Sequence, residues 1–233
     1  MTIPADIAAS APRAVTPIGA ATRARATEVS RLLHAQYPGN PTPSLRFADP
    51  YQCVVAIALS AQTTDNNVNR VTPTLFARWP DVAALATANQ AELEAVIHPL
   101  GFFHVKAQNL LGLARRVRDV YGGQIPDTMD ALTTLPGVAR KTANLVMLES
   151  FGRVCGIAVD THVFRISHRL RLSRAKTPAQ TEGDLCKAFP YEAWARVNFE
   201  MINHGRQVCI ARRPKCSVCV LADLCPSAGK ENK

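Results

Sequence analysis

Apolar residues recur along most of the chain at the three- and four-residue spacing of an amphipathic helix. Around residues 65–76 the recurring positions are Val68, Val71, Leu75 and Phe76. The apolar run Cys53–Leu59 could form a buried strand, but its alanines and the length of its segment favour a buried helix. Because no segment of alternating β-branched residues competes with these patterns, the sequence predicts an all-α fold.

Capping residues indicate where several of these helices begin. Thr64 or Asp65 can cap one helix, Asp127 and Asp160 can each cap another, and one more is predicted from Val138. The buried face of the helix from Val138 is expected to contain Ala139, Ala143, Val146 and Met147. The basic residues expected on the outer face of the helix after Asp160 are Arg165, Arg169 and Arg171. Two more helices, near residues 180–188 and 191–205, are predicted before a cysteine-rich end.

A net charge of +9 over 233 residues indicates a polyanionic partner. No basic amphipathic anchor stands out, so nucleic acid is favoured over a membrane surface. Between residues 140 and 176 there are eight Lys or Arg but only Glu149 and Asp160, and we expect that stretch to bind phosphates. Residues 1–24 are rich in Ala, Thr and Pro, which predicts a flexible tail without a secretory signal.

Four of the seven cysteines follow the spacing C-x6-C-x2-C-x5-C near the end of the chain. They are Cys209, Cys216, Cys219 and Cys225. Such crowding in a chain with no secretory signal favours a metal site over disulfides. Four thiolates on one short loop suit an iron–sulfur cluster, although four-cysteine sites also serve zinc and the spacing leaves that alternative open. The other three cysteines are expected to be small hydrophobic residues.

The loop between the first two of these cysteines is basic, since it contains Arg212, Arg213 and Lys215. A loop held by a metal loses less entropy on binding a phosphate than a flexible loop does. These three cations are therefore candidate DNA contacts.

A second candidate DNA contact is the turn Leu-Pro-Gly-Val at residues 135–138, which leads into a helix. A helix start presents backbone N–H groups that suit an anion, and Gly137 lets the backbone approach a phosphate closely. Arg140 could add a charged contact. Lys141 is unusual, because a cation in the first turn opposes the helix dipole. Partial desolvation there would favour the neutral, nucleophilic amine.

At these residues the sequence resembles the endonuclease III family of helix-hairpin-helix DNA glycosylases. The resemblance lies in "LSAQTTD", "GFFHVKA", "LPGVARKTAN", "AVDTHVFR" and "HGRQVCIARRPKCSVCVLADLC", which occur in the family's order between about residues 30 and 226. It implies two helical lobes, with DNA bound across the cleft between them. One is a six-helix lobe of residues 46–153, containing the hairpin at 128–151. The other joins residues 25–45 to residues 154–233 and a [4Fe-4S] cluster.

The resemblance also implies roles for individual residues. Lys141 matches the family's nucleophilic lysine and Asp160 its catalytic aspartate. Gln62 matches a residue that fills the gap left in the duplex, and Phe102 occupies the position of an aliphatic wedge. The hairpin positions that would contact DNA are Leu135, Gly137, Val138, Ala139 and Arg140. Ala139 stands where the family usually has a second glycine, and alanine is harmless there only if that position does not need positive φ.

We therefore expect a bifunctional glycosylase and AP lyase that removes oxidised pyrimidines from damaged double-stranded DNA through a Schiff base. We expect it to act as a monomer, without a membrane partner, in the cytoplasm and in association with the nucleoid. Two alternatives remain from the sequence. One is a monofunctional mismatch glycosylase of the same superfamily, although such enzymes generally lack the hairpin lysine. The other is a non-catalytic helix-hairpin-helix DNA-binding module, which would need no pair such as Lys141 and Asp160.

Overall fold

The computed structural model describes residues 18–39 and 44–230, and their regular elements are α- and 3₁₀-helices with no strand. The predicted all-α class is therefore confirmed. The α-helices in chain order are α1 (Ala20–Gln36), α2 (Pro50–Leu59), α3 (Asp65–Arg78), α4 (Val82–Ala86), α5 (Gln90–Ile97), α6 (Phe103–Tyr121), α7 (Met129–Leu132), α8 (Arg140–Phe151), α9 (Thr161–Arg169), α10 (Pro178–Ala188) and α11 (Trp194–Gln207). The 3₁₀-helices are His98–Leu100, Tyr191–Ala193, Cys216–Val218 and Ala222–Leu224. In the part of the chain described, no helix is long and apolar enough to cross a bilayer.

The described residues form two compact units. Residues 44–153 make up one, which we call the hairpin unit. Residues 18–39 and 154–230 make up the other, which we call the cysteine unit. The second unit is discontinuous because α1 packs against α10 and α11, far along the chain.

The core of the hairpin unit is built around α2, which packs against α3, α6 and α8. Asp49 begins α2 by accepting a hydrogen bond from the N–H of Gln52 at 2.8 Å, and Pro50 occupies the first turn, where its missing N–H costs nothing. Cys53, Val54, Val55, Ala56 and Leu59 are fully buried. Because apolar residues cover more than one face of α2, the sequence shows a continuous run there instead of a stripe.

The core of the cysteine unit lies among α1, α9, α10 and α11. Its fully or almost fully buried residues include Leu33, Val163, Ile166, Leu185 and Met201. Cys209, Cys219 and Cys225 are partly buried against the same core. The cysteine loop is therefore attached to the packed helices at several points.

Three boundaries differ from those predicted. Helix α1 begins at Ala20, inside the segment 1–24 assigned to a flexible tail, because the alanine-rich sequence after Pro17 favours a helix. Residues 1–17 lie outside the described part of the chain. Thr128, not Asp127, caps α7. Helix α8 begins at Arg140 instead of Val138, because the N–H of Val138 still closes the preceding turn.

Candidate active site and metal centre

The turn between α7 and α8 is fixed by burial and by one glycine. Leu135 and Val138 are 2% and 4% exposed, and the N–H of Val138 donates to the carbonyl of Leu135 at 3.0 Å. Gly137 has φ +77°, and a Cβ there would lie 3.0 Å from the Cβ of Asn109 on α6. Glycine is therefore needed both for its left-handed backbone and for close packing. Because the side chains of Leu135 and Val138 are buried, these two residues can offer a ligand only their backbone groups.

Helix α8 starts without a side-chain cap. Ala139 occupies the cap position with φ −77° and ψ 168°, so its backbone is extended and needs no glycine. The alanine that departs from the family pattern thus causes no left-handed strain. Ala139 is exposed, contrary to the buried position predicted for it. Since alanine offers no acceptor, it does not compete with an external anion for the backbone donors of the first turn.

Lys141 lies in that first turn and its side chain is exposed, while Arg140 beside it is half-buried. The predicted partial desolvation of Lys141 is not present in the protein alone. An exposed amine at a helix start is accessible to a bound molecule, which could itself exclude water from the amine.

Asp160 lies in the cysteine unit, where it is the N-cap of α9. Its Oδ1 accepts a hydrogen bond from the N–H of Val163 at 2.8 Å, as a capping aspartate does, and the residue is half-buried. The same helix is attached to the cysteine loop, because Nη2 of Arg165 donates to the carbonyl of Cys209 at 2.9 Å. The helix that carries this carboxylate is therefore bonded directly to the cysteine loop.

A pocket of about 200 Å³ in the hairpin unit gathers residues that are distant in sequence. Gln62, Phe102 and Gly137 all line it. Gln62 and Phe102 have left-handed φ values of 55° and 48°, which cost non-glycine residues about 1–2 kcal/mol each and are typical of functional positions. The Phe102 side chain is 65% exposed. The two residues expected to enter the duplex thus lie at one pocket beside the hairpin turn.

The four clustered cysteines line a second pocket, of about 30 Å³, in the cysteine unit. Among the described residues, no group of three or more His, Cys, Asp or Glu is arranged to hold a single metal ion. The four thiols line one common space, and four thiolates on one short loop fit an iron–sulfur cluster.

Two side-chain nitrogen atoms lie beside the sulfur atoms. Nη1 of Arg169 is 3.2 Å from Sγ of Cys209, and Nε2 of His204 is 3.4 Å from Sγ of Cys219. Burial lowers the pKa of His204 to about 4, so the ring is neutral at pH 7 and has one N–H to donate. Hydrogen bonds to sulfur are characteristic of cysteines that bear negative charge as cluster ligands.

Arg169 is only 9% exposed, contrary to its predicted place on the outer face of α9. Its guanidinium donates to the carbonyls of Ile210 at 2.8 Å and Ala211 at 3.0 Å, and its own carbonyl accepts from the hydroxyl of Ser227 at 3.0 Å. Arg169 therefore holds both ends of the cysteine loop. The stretch 140–176 is accordingly not one uniform cationic face, since Arg165 and Arg169 are bonded to the protein itself.

The basic residues between the first two cysteines lie at the protein surface. Arg212, Arg213 and Lys215 are exposed, and Arg213 has a left-handed backbone with φ 55°. The N–H of Lys215 donates to the carbonyl of Val208 at 3.0 Å, which closes the loop. The loop thus presents three cations from a backbone that is already ordered.

Sequence reasoning missed Lys106, which lines the same pocket as Gln62 and Phe102 and is only 7% exposed. A signal for it exists, because position 106 continues the buried face of α6 that contains Ala107, Leu110 and Leu113. Lysine at such a position is unusual unless its ammonium group is bonded.

Comparison with known proteins places this chain in a class. Residues 55–191 match the HhH-GPD superfamily base excision DNA repair protein family, and residues 209–225 match the iron-sulfur binding domain of endonuclease III. Endonuclease III of Synechocystis sp. is 49% identical over 209 residues, which cover 90% of this chain and 95% of the relative. The chain belongs to the endonuclease III family of HhH-GPD base-excision repair proteins.

Two solved structures agree with the fold. A non-covalent endonuclease III–DNA complex matches with a TM-score of 0.81 and 36% identity, covering 91% of this chain and 98% of the other. A trapped endonuclease III–DNA covalent intermediate matches with a TM-score of 0.83 and 35% identity, covering 93% and 100%. This protein is a DNA glycosylase with AP lyase activity, and its cofactor is a [4Fe-4S] cluster.

Proposed function

We propose that this enzyme removes oxidised or saturated pyrimidines from damaged double-stranded DNA, with Lys141 as its nucleophile. The observation that carries the proposal is the exposed amine of Lys141 in the first turn of α8, directly after the glycine turn. The solved relative trapped in a covalent complex with DNA supports it, since such a complex requires a nucleophile on the protein.

The reaction assigns one task to each of the two site residues. The neutral amine of Lys141 attacks C1′ of the damaged nucleotide, and the base leaves with the electrons of the glycosidic bond. The new C1′–N bond becomes a Schiff base when the nitrogen loses a proton and the C1′–O4′ bond of the sugar ring opens, which leaves a hydroxyl at C4′. The Schiff base acidifies the C2′ proton, and removal of that proton expels the 3′ phosphate by β-elimination. The carboxylate of Asp160 stabilises the positive charge that develops on the sugar and assists proton transfer.

Access to the base requires that the nucleotide leave the duplex, at a cost of a few kcal/mol that is smallest for a damaged base. We propose that Gln62 and Phe102 occupy the opened stack, because both lie at one pocket in strained conformations. The turn at Gly137 and the start of α8 would bind a phosphate through backbone N–H groups. Arg212, Arg213 and Lys215 would bind others.

Cys209, Cys216, Cys219 and Cys225 would hold the cluster, which supplies a rigid four-thiolate link across the loop. No step of the reaction passes through it. We further propose that the hairpin unit is the six-helix lobe of the family and the cysteine unit its cluster lobe. The expected monomeric state, the cytoplasmic and nucleoid location and the lack of a membrane partner belong to the same proposal.

A panel of duplex oligonucleotides carrying single lesions tests the substrate class. Strand cleavage is measured with and without alkali, which separates lyase from glycosylase activity. We expect oxidised pyrimidines to be excised and mismatched normal bases to be left intact. Lys141→Gln should abolish borohydride trapping and nearly all cleavage while duplex affinity stays near wild type. Mismatch-only excision, or normal trapping by Lys141→Gln, would contradict the proposal.

A further inference from the structure

Lys106 is a buried cation in the hairpin unit for which the chemistry described above has no role. It is 7% exposed and lies one turn after Phe102, at the start of α6. Burial lowers the pKa of its ammonium group, so keeping a lysine there opposes stability unless its contacts compensate. Its contacts therefore indicate what the residue does.

Both the backbone and the side chain of Lys106 bond to the segment that carries Phe102. The backbone N–H donates to the carbonyl of Phe102 at 3.0 Å, and Nζ donates to the carbonyl of Leu100 at 3.0 Å. Between these two acceptors lies Gly101, whose φ is +67°. One residue thus fixes the carbonyl groups on both sides of the turn.

The backbone of this turn is strained at Phe102, and the side chain of Phe102 is exposed. Phe102 has φ 48° and is 65% exposed, so neither its backbone preference nor its own packing holds it in place. Leu100, by contrast, is 2% exposed and belongs to the 3₁₀-helix His98–Leu100. A bond from Nζ to the Leu100 carbonyl therefore ties the exposed turn to the buried core.

We propose that Lys106 is a positioning residue that holds the Phe102 wedge in its left-handed conformation for insertion into the duplex. The inference rests on the proposed role of Phe102 in the opened stack. It assigns Lys106 to the base-flipping step and not to the bond-breaking steps at Lys141. Since a misplacement of about 1 Å at a working site can cost up to about 10²-fold in rate, the loss of this bond should be measurable.

The test compares Lys106→Met with wild type on two substrates under single-turnover conditions. The first is a lesion-containing duplex with 2-aminopurine beside the lesion, whose fluorescence reports unstacking. The second is an abasic site in single-stranded DNA, where no duplex must be opened. We expect slower unstacking and excision about 10- to 100-fold slower on the duplex, with a much smaller change on the single strand. Lys106→Arg, which can still donate to the Leu100 carbonyl, should restore most of the duplex rate.

Arg115→Met is the matched control. Arg115 is a cation on the same helix whose Nε also donates to a backbone carbonyl, that of Ala86 at 3.2 Å, and it does not line the pocket. Its loss should not change the ratio of duplex to single-strand rates. In a double-mutant cycle, Lys106→Met should add little to Phe102→Ala, because both remove the same wedge.

Three results would overturn the inference: a wild-type duplex rate for Lys106→Met in a folded protein, equal slowing on both substrates, or full additivity with Phe102→Ala. Failure of the proposed function looks different. In that case the wild-type enzyme itself would not trap on either substrate, whatever residue stands at position 106.

Discussion

The hairpin turn and the cysteine loop both offer groups for a DNA backbone, but they are ordered in opposite ways. The turn at residues 135–138 is held by buried Leu135 and Val138 and by the close packing of Gly137 on Asn109. The loop at residues 209–225 has little core of its own. Its Val218 is 67% exposed, and its Leu221, which is 2% exposed, packs into the core of the surrounding helices.

The cysteine loop is instead held by hydrogen bonds from the buried guanidinium of Arg169 to its carbonyl groups, and its four cysteines line the pocket where we expect the cluster. We therefore expect local packing to keep the hairpin in shape with or without the cofactor, and the loop to lose its order when the cofactor is lost. If the proposed roles hold, the comparison teaches that the chemistry at Lys141 depends on the packing of the hairpin unit, and that DNA binding by the loop cations depends on the metal centre.

The largest expected effect comes from breaking the cluster. Cys216→Ser removes one of the four proposed ligands, so the chain should lose most of its iron, which is about four per chain when the cluster is intact. The log–log slope of duplex affinity against salt should then fall by about one unit for each phosphate contact that is lost. Iron analysis and salt titration measure the two effects.

Ser217→Ala is the control for this change, because Ser217 is exposed and adjacent to Cys216. It should keep wild-type iron and the wild-type salt slope. A Cys216→Ser protein that keeps both would contradict the dependence of the loop on the cluster.

The next effect concerns Asp160, whose helix is attached to the loop. Asp160→Asn keeps an oxygen that can accept the N–H of Val163, so the fold should survive. It removes the charge, and excision should slow by about 10²–10³, as the loss of transition-state electrostatics typically does. Single-turnover kinetics beside a melting curve separates the two outcomes. If the variant loses rate only together with a large drop in melting temperature, the loss of rate follows from unfolding, and Asp160 acts only as a helix cap.

The smallest expected effect is a loss of stability at the hairpin turn, because the surrounding packing should keep the turn folded even when it is strained. Gly137→Ala should lose stability for two reasons. An alanine in the left-handed conformation costs about 1–2 kcal/mol, and its Cβ would crowd Asn109. Gly152 is the control, because its φ is +63° and nothing lies within 4 Å of an added Cβ. Gly152→Ala therefore measures only the cost of the left-handed backbone. Denaturant unfolding should show the larger loss of stability for Gly137→Ala. Equal losses would mean that the Asn109 contact does not order the turn.

The sequence predicted the hairpin and the cysteine site because their signals are local. Glycine after proline predicts a turn, and four cysteines within a short segment predict a metal centre; the cofactor prediction is confirmed by the family match. The role of Asp160 as the cap of α9 is also local and was predicted. The catalytic and DNA-binding assignments of individual residues stay predictions.

Features that depend on tertiary contacts were missed or wrong. The buried state of Arg169 follows from carbonyls about forty residues later in the chain, which no helical period shows. The common pocket of Gln62, Phe102 and Gly137 depends on how α2, α6 and the hairpin pack. Ala139 was predicted to be buried inside the helix, but it is the cap that precedes the helix. Sequence patterns locate such boundaries only to within a few residues.

The measurement that tests the central claim most directly is the identification of the residue that becomes bonded to DNA. Borohydride-trapped adducts on an abasic duplex are digested and sequenced by mass spectrometry, for the wild type and for Cys216→Ser at saturating DNA. We predict that the modified peptide contains the adduct on Lys141 in both proteins, with a weaker yield in the variant at limiting DNA. An adduct on another residue, such as Lys106 or Lys215, would contradict the assignment of the chemistry to the hairpin.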